Sequence, residues 1–414
     1  MGIPFGFGRL AVKEQSSGWG TAETSFANAN YVEAQITSPP SPMQDSEQMP
    51  VLRGDVYAPT RVAGGRAPTE IQITMPLHGF STASPSANPT EHPDALLLRS
   101  VLGAAEQAGY HGTASDLEGG TTSVINIDDG TALDAEVGHA LLIPLSSGYS
   151  VGWVKTGDTT GDPDTYTLQR VLSAAPASSG VIYGGNCVYS AVTQPTAFTL
   201  EWLGSTDNVK FRFVDCVVTS ATITLETLKQ PTLAVTISAL DWSNVGTGGA
   251  PGAEALTNRP QMPVCISANG FRAVTSAAEQ KIVRATINMS ATVAVDIDSS
   301  SSQGRGRFTV TDRSVTAEVT AQALSSGAST LNDPTALVAP AAAAGAMQID
   351  ANTTPGRAFS VLIPAGVATA TSTFGSDEDM LTITTAVECG LYTGDTSTGA
   401  VSAPANTSFR LAFL

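Results

Sequence analysis

The chain has 414 residues, of which 37 are Asp or Glu and 20 are Lys or Arg, so its formal net charge at pH 7 is −17. A chain of this length can bury a sizeable core, and it predicts two or more domains. The acidic balance disfavours a protein that binds nucleic acid by neutralising phosphates, and it disfavours a polybasic membrane binder. Ala, Ser, Thr, Val, Gly and Pro dominate the composition, which favours strands and turns over long helices.

Targeting and redox signals are sparse. No stretch approaches the roughly 18 continuous apolar residues of a membrane span, and residues 1–8 lack both a standard export signal and a myristoylation pattern. We therefore expect a soluble protein. Cys187, Cys216, Cys265 and Cys389 lie far apart, with no Cys-x-x-Cys pair and no His at ligand spacing. They are predicted to be buried free thiols in a reducing compartment, not zinc ligands or a disulfide framework.

The first strand pattern lies at residues 70–75, where apolar and polar residues alternate with the period of a half-buried sheet. A segment rich in Pro, Ser and Asn follows at 76–89. After it, a proline in the first turn, an acidic residue next to it and apolar residues at four-residue intervals predict a helix that begins at His92 and ends near Gly109.

A separate small β unit is predicted between residues 121 and 190. It contains five short strand patterns separated by Gly, Asp, Pro and Ser, the spacing of a small antiparallel barrel or sandwich; they lie at 123–127, 139–143, 150–154, 166–171 and 180–183. Four further strand patterns form a meander at 197–203, 209–214, 222–225 and 233–237. The Gly, Ala and Pro content of residues 246–255 then predicts a linker.

The remainder of the chain repeats this plan. Strand patterns lie at 286–289, 292–297, 307–310 and 315–319. They lead to residues 332–338, which echo the predicted helix start at 91–97. Residues 357–362 then echo 196–201, and a β pair ends at 380–387. The same order therefore occurs twice, which predicts a tandem duplication with the small β unit inserted in the first copy only.

One motif suggests nucleophilic catalysis. Gly148, Ser150 and Gly152 match the Gly-x-Ser-x-Gly elbow of hydrolases, which requires a strand-to-helix turn and a downstream His. A strand pattern follows Ser150 instead, and all four histidines precede it. An unrelated order of triad residues stays formally open, but we predict a hairpin turn.

Other motifs are predicted to be turns or loops. Residues 157–164 carry Asp158, Asp162 and Asp164, which suggests oxygen ligands for Ca²⁺, but Asp, Gly and Pro are also typical of hairpin loops. The same prediction applies to the acidic residues 376–379, to the Arg-Gly-Asp tripeptide 53–55 and to the Gly-rich tip 301–307. Formal glycosylation acceptors at Asn288, Asn352 and Asn406 carry no meaning without secretion.

No catalytic, cofactor-binding or metal-binding residue is predicted, so we do not expect an enzyme. Paired carboxylates of a glycoside hydrolase remain a minor alternative, because no pair can be identified from the sequence.

Several segments together resemble the major tail tube proteins of long-tailed bacteriophages. They are residues 18–23 (Gly-Trp-Gly-Thr-Ala-Glu), 65–75, the helix ending in Val101-Leu102-Gly103, residues 197–202 followed by 213–218, and the C-terminal segment 357–364. The resemblance covers most of the chain outside 121–190, and that inserted unit resembles the small β modules on the outside of some tail tubes. It rests on element order and short echoes.

The resemblance implies a mainly β fold with two tandem tail-tube-type β-sandwich or barrel domains, each with a flanking helix, plus a small inserted β domain. The expected organisation is an N-terminal arm at 1–49, a first tube domain at 50–245 interrupted by the insertion at 114–195, a linker at 246–255, and a second tube domain at 256–414. The proline-rich arm is expected to order on assembly.

The implied function is that of a structural virion protein, assembled in the host bacterial cytoplasm into stacked rings that form the hollow tail tube. Two tube domains per chain predict trimeric rings with pseudo-sixfold symmetry, with hexameric rings as the second choice. Implied partners are tape measure, tail terminator and baseplate proteins, with DNA only in transit and no membrane.

The acidic charge fits a conduit, because carboxylates lining a lumen would repel phosphates. The competing class is another β-rich self-assembling protein, such as an adhesin, a capsid decoration or a surface-layer subunit.

Overall fold

The structure is a computed structural model, and the statements below concern the residues that it describes. These are 8–26, 30–32, 34–38, 44–52, 57–66, 68–77, 93–107, 117–127, 137–158, 160, 163–178, 180–204, 209–247, 271–275, 278–299, 304–322, 345–368, 373–377, 380–398 and 405–414. The predicted second helix after residue 332, the linker at 246–255 beyond residue 247, and Cys265 lie outside them.

The predicted mainly β fold is confirmed. The N-terminal part contains β1 (Gly8–Glu14), β2 (Tyr31–Val32), β3 (Gln35–Ser38), β4 (Gln44–Leu52), β5 (Tyr57–Arg66), β6 (Thr69–Pro76), α1 (Pro93–Leu102) and β7 (Gly103–Gln107).

Helix α1 ends earlier than predicted because Gly103 has a φ of 119°. A Cβ at position 103 would lie 2.5 Å from the carbonyl oxygen of Ala191, so only glycine permits this close approach. The ten-residue α1 is too short to cross a membrane, and the described residues contain no helix that could.

The inserted unit forms a sheet of its own. Its strands are β8 (Leu117–Gly120), β9 (Val124–Ile127), β10 (Ala140–Leu145), β11 (Gly148–Asp158), β12 (Asp164–Leu168) and β13 (Tyr183–Gly184), in the order β13-β10-β11-β12-β9-β8. One face buries a separate hydrophobic cluster that includes Ile125, Val154, Tyr166 and Leu168. The next strand belongs to the large sheet and not to the insert, although it lies inside the predicted range 114–195.

The remaining strands belong to the large sheet, apart from β25, which pairs with β11. They are β14 (Asn186–Ser190), β15 (Phe198–Gly204), β16 (Val209–Glu226), β17 (Thr232–Thr247), β18 (Phe271–Thr275), β19 (Ala278–Ile297), β20 (Arg305–Gln322), β21 (Gly345–Ala351), β22 (Phe359–Ala368), β23 (Thr373–Asp377), β24 (Met380–Cys389), β25 (Thr396–Ser397) and β26 (Arg410–Phe413).

Three of these strands each join two strand patterns that the sequence separates. β16 joins 209–214 with 222–225, β19 joins 286–289 with 292–297, and β20 joins 307–310 with 315–319. The register of β16 with β17 shifts between Val218 and Ser220, and that of β19 with β20 shifts between Thr292 and Val293. The extra residues at these shifts are Thr219 of β16 and Thr311 of β20. A bulge inverts the alternation of side chains on the strand that carries it, so β16 and β20 each look like two short strands in the sequence. β19 keeps its alternation through the shift.

Eight strands form a continuous antiparallel series within the large sheet, in the order β3-β6-β17-β16-β19-β20-β24-β23. We call this series the eight-stranded sheet. Two other series, β2-β1-β15 and β18-β21-β22-β26-β14-β7, also contribute to its hydrophobic core. Helix α1 packs against β14, β16 and β19, and the backbone N–H of Val218 donates to its Ser100 hydroxyl at 3.0 Å.

Part of the predicted N-terminal arm lies inside this fold. β1 pairs with β15 and β3 pairs with β6, and the side chains of Leu10, Val12 and Ile36 are buried in the core. The predicted boundary between residues 49 and 50 falls within β4. Among the described residues, β4 and β5 pair only with each other.

Contacts also join parts of the chain on either side of the linker. The Arg313 guanidinium of β20 donates to the carbonyl oxygens of Val101, Ala191 and Thr193, each at 2.8 Å. Val101 lies in the last turn of α1, where carbonyl groups lack helical partners and a cation is favourable. Near the N-terminus, the Trp19 ring packs edge-on against Phe308 of β20, with the ring centroids 6.3 Å apart.

Two cysteine predictions are supported by the structure. Cys187 and Cys216 are buried free thiols, while Cys389 is a free thiol that is only partly buried. Burial raises the pKa of the Cys389 thiol to about 12, and it also raises the pKa of Cys216, so these sulfurs stay protonated near neutral pH.

A buried polar network anchors the insert to the C-terminal part of the chain. Arg410 has a fully buried side chain that pairs with the equally buried Asp395, and it donates to Thr407 Oγ1 at 3.0 Å. Gln169 of the insert donates to Asp395 Oδ1 at 2.8 Å and to the Tyr392 hydroxyl at 2.5 Å. Burial raises the pKa of Tyr392 to about 12, so the hydroxyl keeps its proton.

Replacing Asp395 with alanine should destabilise the protein strongly. The change leaves the Arg410 guanidinium buried without its charge partner, which typically costs about 3–5 kcal/mol. The measurement is the free energy of unfolding in urea. Asp296→Ala is the matched control, because its pair with Arg307 is exposed and exposed pairs contribute little. Equal effects of the two substitutions would contradict the buried network.

Candidate functional site

The Gly-x-Ser-x-Gly motif lies in a β-hairpin, as predicted. Ser150 is buried within β11 and pairs with Ile143 of β10, and Gly148 at the turn has a φ of 88°. A strand follows the serine where a hydrolase elbow needs a helix. The motif therefore has no geometry for nucleophilic attack.

The acidic loop residues are held by hydrogen bonds within the protein. Asp158 Oδ1 accepts from the Thr160 hydroxyl at 2.7 Å and from the Thr398 hydroxyl at 3.0 Å, and these bonds lower the pKa of Asp158. Asp164 is buried beside the Tyr166 hydroxyl, and Asp162 lies outside the described residues. Across the part of the chain that the structure describes, no three His, Cys, Asp or Glu residues are grouped to hold a metal ion.

The other candidate motifs fall on strands, at turns or outside the described residues. Ser376 and Asp377 are the last residues of β23, while residues 378–379 and the tripeptide at 53–55 are not described. Gly304, with a φ of 70°, lies in the turn between β19 and β20. Asn288 lies on β19, and Asn352 and Asn406 adopt positive φ values of 66° and 58°.

The most distinctive surface is one face of the eight-stranded sheet. Alternate side chains of its six central strands point into the core, as Ile73, Ile223, Ile287 and Val319 do. The residues between them point to the opposite side, which we call the open face. Its side chains are mostly exposed or half-buried and mostly carry hydroxyl or amide groups.

The open face is arranged in rows that cross the strands. One row comprises Gln72, Thr236, Ser220, Ser290 and Ser314, the next comprises Thr74, Ala234, Thr222, Asn288, Thr316 and Glu388, and the third comprises Pro76, Thr232, Thr224, Thr286, Glu318 and Ala386. Hydroxyls in these rows bond across strands, with 2.7 Å between Ser290 and Ser314 Oγ and 3.0 Å between Thr222 Oγ1 and Asn288 Oδ1. These two bonds join side chains of neighbouring strands within a row.

Charge on the open face is mainly negative. Among the described side chains of these strands, the acidic residues on this face include Glu70, Glu226, Asp312, Glu318 and Glu388. Arg284 lies on the same face, opposite Glu226 in the register. The face therefore combines a broad neutral hydroxyl surface with a small excess of carboxylates.

The eight-stranded sheet has the same internal order in both of its halves. Across the sheet, the N-terminal half runs β3, β6, β17, β16. Numbered along the chain, these four strands are the first, second, fourth and third of that half. After the linker the sheet runs β19, β20, β24, β23, which is again first, second, fourth and third. The halves meet where β16 pairs antiparallel with β19.

Both ends of the eight-stranded sheet lack a further strand among the residues that the structure describes. Within the described residues, β3 pairs only with β6, and β23 pairs only with β24. Each end strand is short, with four residues in β3 and five in β23. Their outer N–H and C=O groups form edges that can accept a further strand.

No protein-family model matches the chain, and no curated protein matches it.

Sequence reasoning missed the open face because no single strand reveals it. The signal that was available is the Thr-x-Thr spacing at 222–224 and 382–384, where two hydroxyls fall on one side of a strand. Only the register brings such pairs from different strands into rows.

Adjacent residues of β16 test the assignment of the two faces. Ile223→Asp buries a carboxylate in the core and should cost more than about 3 kcal/mol of unfolding free energy. Thr224→Asp places the same group on the open face and should change the free energy by only about 0.5 kcal/mol. Urea unfolding of both variants makes the comparison, and similar losses would show that the open face is buried.

Proposed function

We propose that this protein is the structural subunit of a bacteriophage tail tube, whose rings stack into a hollow conduit for DNA. The observation that carries the proposal is the eight-stranded antiparallel sheet, which has a polar open face and, within the described part of the chain, two unpaired edges. Such a sheet gains backbone partners when copies join edge to edge. The open face then becomes the wall of a lumen.

An even number of alternating strands makes this closure regular. In the antiparallel series, β3 and β23 run in opposite directions, because seven antiparallel pairings separate them. A rotation about a ring axis keeps strand directions, so β23 of one copy meets β3 of the next in antiparallel orientation. The pairing of β16 with β19 inside the chain is equivalent to this contact. In both cases the third strand of one half, β16 or β23, pairs with the first strand of the following half, β19 or β3.

Barrel geometry favours three copies per ring. With strands about 4.8 Å apart and tilted by about 40°, 24 strands from three copies give a backbone diameter of about 48 Å. Six copies would give about 96 Å by the same geometry. Two copies would give about 32 Å, and lining side chains reduce this by about 10 Å. Three copies therefore leave clearance around a DNA duplex without an oversized lumen.

The chemistry of the open face fits a conduit. Hydroxyl groups carry no charge that would attract phosphates, and the glutamates repel them. A lumen of this kind would let DNA pass without holding it. The repeated strand order supports pseudo-sixfold symmetry, and the same role implies tape measure, terminator and baseplate proteins as partners in the virion.

The edge pairing can be tested at Thr37. This exposed residue of β3 lies in a bulge, without a Cα partner in β6. Thr37→Pro puts a rigid ring without an N–H into the end strand, at a position outside the register with β6. The monomer should therefore fold while rings fail to form. Thr37→Ala is the control and should assemble like the wild type. Sedimentation velocity and negative-stain images measure assembly, and circular dichroism measures folding.

Two results would contradict the proposal. One is normal ring formation by a folded Thr37→Pro variant. The other is a wild-type protein that forms flat arrays or only monomers, as an adhesin, decoration or surface-layer subunit would.

A further inference from the structure

The two ends of the eight-stranded sheet along its strand direction each carry an exposed apolar side chain. Leu228 lies in the turn between β16 and β17 and is 75% exposed, and Ile297 lies at the end of β19 and is 91% exposed. The register places the two side chains at opposite ends of the sheet. Glu226, next to the turn that carries Leu228, pairs with Arg284 of β19. Arg284 lies thirteen residues before Ile297 on the same strand. At about 3.3 Å per residue, the two side chains are separated by roughly 40 Å within one chain.

The turn that carries Leu228 is fixed in an unusual conformation. Leu228 has a φ of 63°, a region that non-glycine residues seldom adopt and that often marks a functional position. The turn is held by hydrogen bonds from Thr227 N to Val283 O at 2.9 Å and from Lys229 N to Glu226 O at 3.1 Å. These bonds keep the leucine side chain directed away from its own core.

Charge next to both apolar residues is paired locally. Lys229 Nζ donates to Glu226 Oε1 at 2.7 Å beside Leu228, and Arg307 Nε donates to Asp296 Oδ2 at 2.8 Å beside Ile297. Among the described residues next to Leu228 and Ile297, neither end therefore presents a strong charge of one sign that would repel the other. Two apolar tips at opposite ends of one subunit suit a head-to-tail contact, which generates an open stack.

We propose that the Leu228 turn of one copy packs against Ile297, at the end of β19, of another copy in the adjacent ring. The partner is thus a second copy of this chain. This contact rests on the proposed tube function, and it assigns to named residues the surface that joins one ring to the next.

Disulfide trapping tests the contact in the assembled full-length protein. In the variant Leu228→Cys/Ile297→Cys, a bond within one chain is impossible, because disulfides require Cα atoms within about 7 Å. Mild oxidation should give a ladder of dimers, trimers and longer species on non-reducing gels. A mixture of the two single-cysteine variants should stop at dimers. The matched control is Leu228→Cys/Leu391→Cys, since Leu391 is also 91% exposed but lies away from both turns, and it should give no ladder.

A second measurement uses Leu228→Asp and Ile297→Asp. Each variant should still form single rings, while mean tube length in micrographs should fall at least fivefold. Tubes of wild-type length, or the loss of rings together with tubes, would overturn the assigned contact, and so would tubes of the double-cysteine variant that give no ladder. A wild-type protein without any rings would instead overturn the tube function.

Discussion

Backbone hydrogen bonding at the two edges of the eight-stranded sheet is the constraint on which the account depends. A sheet strand presents N–H and C=O groups on both sides, and an unpaired edge pairs readily with any other strand. Inside the chain the constraint is met at the junction of β16 with β19, where seven consecutive residue pairs join the two halves. Among the described residues, the outer N–H and C=O groups of β3 and β23 have no strand to pair with. A closed ring of copies would pair them without any additional strand, because the strand directions match.

The same sheet separates two environments. Its core side buries aliphatic side chains such as Ile71, Val235 and Met289, while the open face is formed by short polar side chains. A single residue step along any of these strands moves a side chain from one environment to the other. Alternation along the strands is therefore enough to explain why one face of the sheet is exposed. It does not explain why that face carries hydroxyl groups, because exposed faces of β-sheets commonly carry many long charged side chains.

The sequence allowed the mainly β fold, the start of the first helix and the strands around residues 70–75 and 197–203 to be predicted, because their local periodicity is regular. The continuity of β16 and β20 could not be predicted, since bulges at Thr219 and Thr311 invert the alternation in the middle of these two strands. The place of β1 and β3 in the sheet was also missed, because both strands pair with partners distant in sequence. The rows of the open face depend on that register and were inaccessible for the same reason.

The insert is held in place by contacts with residues that are distant in sequence, which local sequence patterns do not reveal. Its Trp153 is fully buried, and the indole Nε1 donates to Ser360 Oγ at 2.9 Å. That serine in turn donates to the buried Asp350 at 2.7 Å. Together with the pair of Arg410 and Asp395, these contacts hold the insert against β22 and the C-terminal segment.

The proposed ring is tested most directly by a cryo-electron-microscopy cross-section of tubes assembled from the purified protein. We expect three copies per ring, a continuous wall of 24 strands and the threonine-rich open face turned to the lumen. A different number of copies, or a lumen lined by the opposite face of the sheet, would contradict it.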